Sequence, residues 1–204
     1  MPAALARTGT SLLQRLVATT HFSTSEVRSL LTIANKLCRT SGLNQKRFRH
    51  ILHNNFGMTD LVIPDRIFRV FCRIAGVEND HLYASDLISG LSVFLRGTGE
   101  ERRRFCFEVY DIDADGVIGP DDMKVLLRES LPLIADEEEK EEAMNDLLGI
   151  VADLLDADDK MHIKWESYSN AVTRDELRLE MLGQCFPKLE VSHAFNILFA
   201  DNIT

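Results

Sequence analysis

The chain has 204 residues, of which 45% are hydrophobic and 27% are charged, a composition typical of a globular protein with a sizeable core. Its formal charge of −9, from 32 acidic and 23 basic residues, excludes a broad nucleic-acid footprint, because binding to phosphates needs a basic face. The apolar runs are far shorter than the roughly 20 residues that cross a bilayer, so we expect no membrane span.

Residues 1–25 form a basic N-terminal segment, with Arg7 and Arg15 and no acidic residue before Glu26. Several of its apolar residues lie close to helical spacing: Leu5, Leu12, Leu13, Leu16 and Val17. This spacing predicts an amphipathic first helix or arm. The same composition overlaps that of a mitochondrial presequence, which is the alternative interpretation.

Helix starts are marked by local signals. Ser23 and Glu26 enclose a capping box that begins a helix reaching about Leu37. A second helix is predicted to begin at Pro64 and Asp65, and a third to span residues 99–110. A fourth helix is predicted to follow the acidic run Asp136–Glu142 and to end near Leu155. The sequence therefore predicts an all-helical fold.

A repeated fragment organises these helices. In each copy, a branched aliphatic residue is followed five positions later by a large apolar residue at the beginning of a helix. The four copies are Leu43/Phe48, Leu82/Leu87, Ile118/Met123 and Ile163/Tyr168. Their separations of about 36 to 45 residues fit one helix–loop–helix unit each.

The third loop, Asp111–Asp122, carries the ligand pattern of a calcium site. A 12-residue EF-hand loop supplies oxygen ligands from positions 1, 3, 5, 7, 9 and 12, with glycine at position 6, here Gly116. The predicted ligands are the carboxylates of Asp111, Asp113, Asp115 and Asp122 and the backbone carbonyl of Val117. We therefore predict an all-α protein of four EF-hand units in two paired lobes, with one site for Ca²⁺.

The metal preference depends on position 12 of this loop, where Asp122 replaces the usual glutamate. Its shorter side chain makes bidentate contact with an ion harder. We expect weakened calcium affinity and a larger share for Mg²⁺. The other three loops have too few ligands at the required positions, although the second keeps Asp86 and the fourth keeps Asp156 and Asp158, so we expect no ion in Lys36–Arg47, Ala75–Asp86 or Asp156–Ser167.

These patterns divide the chain into four predicted segments. They are an N-terminal basic helix or arm (1–25), a first EF-hand pair with degenerate loops (26–97), a second pair with one competent loop (98–173) and a C-terminal helical extension (174–204).

No enzyme is predicted. The chain contains no HExxH, GxSxG or phosphate-binding glycine loop, so we expect no catalytic residue, organic cofactor or small-molecule substrate. The four cysteines lack the CxxC spacing of zinc sites, and we expect reduced, mostly buried thiols.

Five segments form a more specific pattern than a single EF-hand loop. They are FRHILH (48–53), FGMTD (56–60), DRIFR (65–69), GLSVFLRG (90–97) and CFEVYD (106–111). These motifs resemble those of the calaxin family, EF-hand proteins of motile cilia. The likeness extends over roughly residues 20–185.

The resemblance implies a calcium-responsive protein of the outer dynein arm docking complex on the doublet microtubules of the ciliary or flagellar axoneme. Its implied partners are coiled-coil docking subunits and dynein chains, on the cytoplasmic side of the membrane. In family members, the second and fourth loops usually remain able to bind calcium, and the third loop has a glutamate at position 12. This chain departs from that pattern. The losses favour an adaptor with little calcium regulation. The alternatives are a calcium-sensor subunit resembling calcineurin B, which acts on an enzyme, and a mitochondrial EF-hand protein.

Overall fold

The protein is mostly helical in a computed structural model that describes residues 12–77, 81–131, 136–192 and 194. The helices are α1 (residues 12–19), α2 (Thr24–Cys38), α3 (Gln45–Phe56), α4 (Ile63–Ala75), α5 (Ala84–Arg96), α6 (Gly99–Tyr110), α7 (Pro120–Leu127), α8 (Glu137–Leu154) and α9 (Trp165–Arg174). Two short 3₁₀ turns, Arg128–Ser130 and Glu176–Arg178, follow α7 and α9, and residues 189–192 are helical. The strands are β1 (Leu43–Asn44), β2 (His81–Leu82), β3 (Val117–Ile118) and β4 (Ile163–Lys164). In this described part, none of the helices combines the length and the apolar character that a membrane span requires.

The predicted repeat coincides with the pairing of the strands. β1 pairs antiparallel with β2, so that Leu43 lies opposite Leu82, and β3 pairs antiparallel with β4, so that Ile118 lies opposite Ile163. All four side chains are fully buried, and a helix precedes and follows each strand. The prediction of a mostly helical fold is confirmed.

The helix starts follow the local signals closely. The Ser23 hydroxyl accepts the N–H of Glu26, and the Glu26 carboxylate accepts the N–H of Ser23, so the capping box is formed. α6 has the predicted bounds, whereas α4 begins at Ile63, one residue earlier than predicted. The Asp60 carboxylate explains this earlier start, because it accepts the backbone N–H groups of Val62 and Ile63.

The N-terminal segment is described only in part. Residues 1–11 lie outside the described residues, and residues 12–19 form α1. Leu16 in α1 is buried, as an amphipathic helix requires. The mitochondrial presequence stays an alternative prediction.

The chain forms two compact units. Of the described residues, the first unit contains those within 12–59, 68–98 and 186–194, and the second contains residues 60–67 and those within 99–185. Residues 60–67 belong to the second unit because Ile63 and Arg66 contact residues of that unit. The division into segments 1–25, 26–97, 98–173 and 174–204 stays a prediction.

An aromatic cluster fills the core of the first unit. Phe71 packs edge-on against Phe48 and Phe94, with ring centroids 5.1 Å and 5.8 Å apart. Helix α5 approaches this cluster through Gly90, where a Cβ atom would overlap the Phe71 ring. The close approach of α4 and α5 therefore requires glycine at this position.

Two buried tyrosines order the core of the second unit. The Tyr168 hydroxyl donates to the Leu179 carbonyl at 2.7 Å, and the Tyr110 hydroxyl donates to the Gly183 carbonyl at 2.6 Å. Both carbonyls lie beyond α9, in the described stretch 175–185, whose only helical element is the short 3₁₀ turn Glu176–Arg178. The two hydroxyls therefore hold the segment after α9 against the core.

The four cysteines are buried, and none of them forms a disulfide in the described part of the chain. Burial raises the pKa of the Cys38 thiol to about 11 and raises the pKa of Cys106 well above its ordinary value. Such thiols stay protonated at neutral pH and are poor nucleophiles. The prediction of reduced, buried cysteines is confirmed.

An ion pair connects the beginning of α2 with the end of α5. The Arg96 guanidinium donates to both carboxylate oxygens of Glu26, at 2.6 Å and 3.1 Å. It also donates to the His21 carbonyl and lies over the Phe22 ring, 4.9 Å from its centroid. The hydrogen bond from Arg96 is the main reason that the pKa of Glu26 falls to about 2. Glu26 therefore serves both as a helix cap and as an interhelical ion-pair partner.

We expect Glu26→Gln to lower the free energy of unfolding by about 1–2 kcal/mol near neutral pH, because the amide keeps a capping oxygen but loses the charge. The folded pKa of about 2 lies below the ordinary value of 4.5. The stabilisation is therefore complete above pH 4.5 and is lost as the pH falls towards 2. Urea unfolding, followed by circular dichroism at several pH values, measures both effects.

The matched control is Glu141→Gln, which changes an exposed glutamate on α8. We expect this variant to unfold within about 0.5 kcal/mol of the unmodified chain. If Glu26→Gln cost the same free energy at acid and neutral pH, the ion pair would not be the source of the stabilisation.

Candidate metal centre

The loop between α6 and α7 folds around its own acidic side chains. The two carboxylate oxygens of Asp111 accept the N–H groups of Asp115 and Gly116, at 3.1 Å and 3.0 Å. Asp113 also accepts the Asp115 N–H, and Asp115 accepts the Val117 N–H. Gly116 has a φ of +90°, a conformation that favours glycine. Short aspartate side chains and one glycine thus fix the tight turn that the sequence predicted.

Three of the predicted ligands lie together. Oxygens of Asp111, Asp113 and Asp115 all lie within 4.8 Å of one another, and Asp111 is 4% exposed. Across residues 12–77, 81–131 and 136–194 as far as they are described, no other three His, Cys, Asp or Glu side chains converge in this way. Carboxylate oxygens are the ligands that hard cations such as Ca²⁺ and Mg²⁺ prefer. The three residues therefore fit a divalent cation.

Asp122 lies against the loop backbone and is 9% exposed. Its two oxygens accept the N–H of Ile112 at 3.2 Å and the N–H of Gly119 at 2.8 Å, so this side chain joins the beginning of the loop to its end. It does not belong to the converging group of three. The roles of Asp122 and of the Val117 carbonyl as metal ligands stay predictions.

The electrostatics of the loop favour neutralisation of its carboxylates. Burial raises the pKa of Asp111 and of Asp122 above the ordinary aspartate value, and the charges of neighbouring loop aspartates raise both further. Backbone hydrogen bonds to the two carboxylates oppose this shift only in part. A bound cation would relieve the same repulsion that a proton relieves.

Arg66 positions the beginning of the loop, and sequence reasoning did not assign it this role. The side chain is 8% exposed, and its guanidinium donates to the carbonyls of Val109, at 3.2 Å, and Asp111, at 2.7 Å. The signal in the sequence was a basic residue on an apolar helix face, three positions after Ile63 and one before Ile67. Only the fold shows that this face meets the residues at the end of α6.

In the first loop, an arginine side chain occupies the position of the last metal ligand. Arg47 occupies position 12 of Lys36–Arg47, where a binding loop has its last ligand. Its guanidinium donates to the Leu37 carbonyl, at position 2, at 2.6 Å. A covalently attached positive charge thus lies at the end of the loop where a carboxylate would be needed.

The acidic groups of the fourth loop are engaged in other contacts. Asp156 pairs with Arg174, and Asp158 accepts the N–H groups of His162 and Lys160, both at 3.0 Å. The His162 hydrogen bond is the main reason that the pKa of Asp158 lies below its ordinary value.

The second loop is described only in part, because residues 78–80 lie outside the described residues. Its Asp86 accepts the N–H of Tyr83 at the start of α5. That the first, second and fourth loops hold no ion stays a prediction.

Paired helix–strand–helix elements and a carboxylate-rich loop that fits a divalent cation are the features of a helical protein of the EF-hand class. The chain is 38% identical to calaxin of Xenopus laevis over an alignment of 191 residues, which covers 90% of this chain and 89% of the Xenopus protein. It is 37% identical over 175 residues to calaxin of Homo sapiens, with 82% and 81% covered. The calcium-binding protein NCSA of Dictyostelium discoideum is 30% identical over 114 residues, 56% of this chain and 59% of that protein. No protein-family model matches the chain. The chain belongs to the calaxin family, and the resemblance inferred from its motifs is confirmed.

We expect calcium affinity to fall as the pH is lowered, beginning at a higher pH than ordinary aspartates would cause. The pKa values of Asp111 and Asp122 are raised, so protons compete for these carboxylates at a higher pH than they would for ordinary aspartates. Calorimetric titrations with calcium between about pH 4 and pH 7.5 measure this dependence. An affinity that does not change over this range would contradict the prediction.

The same titrations include two matched aspartate variants of the loop. Asp113→Asn removes a charge from the converging group and should weaken binding at least about tenfold. Asp121→Asn removes an exposed charge outside that group and should change the affinity much less.

Proposed function

We propose that the chain is a non-enzymatic EF-hand adaptor of the ciliary or flagellar axoneme, within the outer dynein arm docking complex on doublet microtubules. The observation that carries this proposal is membership of the calaxin family over more than four-fifths of the chain. Its partners in this proposal are coiled-coil docking subunits and dynein chains, on the cytoplasmic side of the membrane.

The architecture in this proposal is four EF-hand units in two pairs. Four successive helix–strand–helix arrangements support it, as does the pairing of β1 with β2 and of β3 with β4. Paired units share an apolar core whatever their loops contain, so loss of ligands does not remove the scaffold.

The adaptor has one metal site in this proposal. Asp111, Asp113 and Asp115 would hold the ion, with the Val117 carbonyl and Asp122 completing its ligands. A bound Ca²⁺ or Mg²⁺ would supply positive charge at the centre of the loop and reduce repulsion among the carboxylates. In the first loop Arg47 donates to a backbone carbonyl, and Arg174 pairs with Asp156 of the fourth loop. These contacts support the proposal that the protein mainly holds its partners and responds weakly to calcium.

We expect calorimetry to find one calcium ion per chain at micromolar concentrations, and tighter binding after Asp122→Glu. The longer side chain brings a bidentate carboxylate closer to the ion, and glutamate at this position can still accept the Gly119 N–H. More than one bound ion in the unmodified chain, or loss of binding in Asp122→Glu, would show that the ligand assignment is wrong.

The axonemal assignment is tested by capture of partners from ciliated or flagellated cells. We expect the tagged chain to recover docking-complex subunits and dynein chains in comparable amounts with calcium and with a calcium chelator. The tag alone is the control for nonspecific capture. Recovery of a phosphatase or kinase without dynein components would favour the calcineurin B-like alternative and overturn the proposal.

A further inference from the structure

The first unit contains an apolar groove of about 530 Å³. Helices α2, α3 and α5 line it through residues that include Leu30, Ile33, Ile51, Leu52, Leu87 and Leu91. Among the described residues that line the groove, Asn55 alone has a polar side chain, and its amide donates to the Ile51 carbonyl. A surface of this kind suits the apolar face of a helix.

The C-terminal segment of the same chain reaches this groove. Val191 and Ala194 contribute to its lining. Phe186 directs the segment there, because its buried ring packs against Phe94 with centroids 6.1 Å apart. Residues 189–192 are helical, and the N–H groups of Val191 and Ser192 both donate to the Lys188 carbonyl. Val191 and Ala194, three positions apart, fit one face of such a helix.

The sequence continues the same spacing beyond Ala194. Phe195, Leu198 and Phe199 follow Val191 by four, seven and eight positions, which is the apolar stripe of an amphipathic helix. These three residues lie outside the described part of the chain. The pattern matches a groove whose lining is almost wholly apolar.

We propose that the C-terminal segment, residues 189–199, is an intramolecular ligand of this groove that a partner helix has to displace. A helix this short is marginal in water by itself, so the groove supplies the apolar surface that stabilises it. Tethering raises the effective concentration of the segment to about the millimolar range.

The occupied groove regulates access to the adaptor. A partner helix that binds only the open groove has its affinity reduced by the fraction of chains in which the groove is open. This regulatory consequence rests on the proposed function, in which the adaptor holds helical segments of its partners. Occupancy of the groove by the segment does not rest on it.

The first experiment places charge on the groove-facing side of the segment in the full-length chain. We expect the double variant Val191→Asp/Ala194→Asp to increase the fluorescence of a hydrophobic dye at least about threefold, because the groove opens. The matched control, Leu189→Asp/Ser192→Asp, adds the same charge at positions that do not line the groove, and Leu189 is 70% exposed. Equal dye fluorescence in the double variant and its control, whether raised or unchanged, would overturn the proposal.

The second experiment separates opening of the groove from partial unfolding. A fluorescent peptide with the sequence of residues 187–204 is titrated into each full-length protein, and circular dichroism confirms that each is folded. We expect the peptide to bind the Val191→Asp/Ala194→Asp chain at least about tenfold more tightly than the unmodified chain, in which the resident segment competes. Equal affinity for the two chains, or no binding to the folded double variant, would contradict the proposal.

Both experiments use the purified chain without axonemal partners. Their failure would leave the axonemal assignment intact, and failure of the capture experiment would leave the occupied groove intact. The two proposals can therefore be overturned separately.

Discussion

The antiparallel pairing of two-residue strands is the constraint on which the rest of the structure depends. Each pair contributes few hydrogen bonds, but it brings two buried aliphatic side chains face to face, Leu43 with Leu82 and Ile118 with Ile163. Burial of each such side chain contributes about 1.5–3 kcal/mol. The pairing also fixes the entry and exit of both loops in a pair, so that a loop without ligands keeps its place beside its partner.

On this common scaffold, the loops satisfy their polar groups in different ways. The third loop turns carboxylates towards its own N–H groups and towards one another, which leaves a concentration of negative charge. In the first loop, Arg47 supplies a positive charge that donates to a backbone carbonyl. In the fourth, Arg174 pairs with Asp156. The same helix–strand–helix backbone therefore accommodates clustered negative charges in the third loop and a positively charged side chain in the first.

The features that could be predicted from sequence are those encoded over short distances. The capping box at Ser23, the bounds of α6 and the aliphatic positions of the repeat all depend on residues within about one helical turn or one loop. Individual side-chain contacts between distant residues were not predicted. Arg66 acts on carbonyls 43 and 45 positions away, and Arg96 binds a carboxylate 70 positions away. Nothing in a local window indicates which helix face will meet which loop.

The role of Gly90, which has no side chain, was not predicted from local signals either. Gly90 lies where a methyl group would overlap the Phe71 ring, and that ring is packed between Phe48 and Phe94. Alanine would have to move an aromatic side chain whose neighbours are close-packed, and overpacking of this kind costs about 1–3 kcal/mol. Glycine to alanine is the smallest substitution in chemical terms, and a similarity score ranks it as mild. Gly90→Ala should therefore rank among the destabilising substitutions of this chain despite its small chemical size.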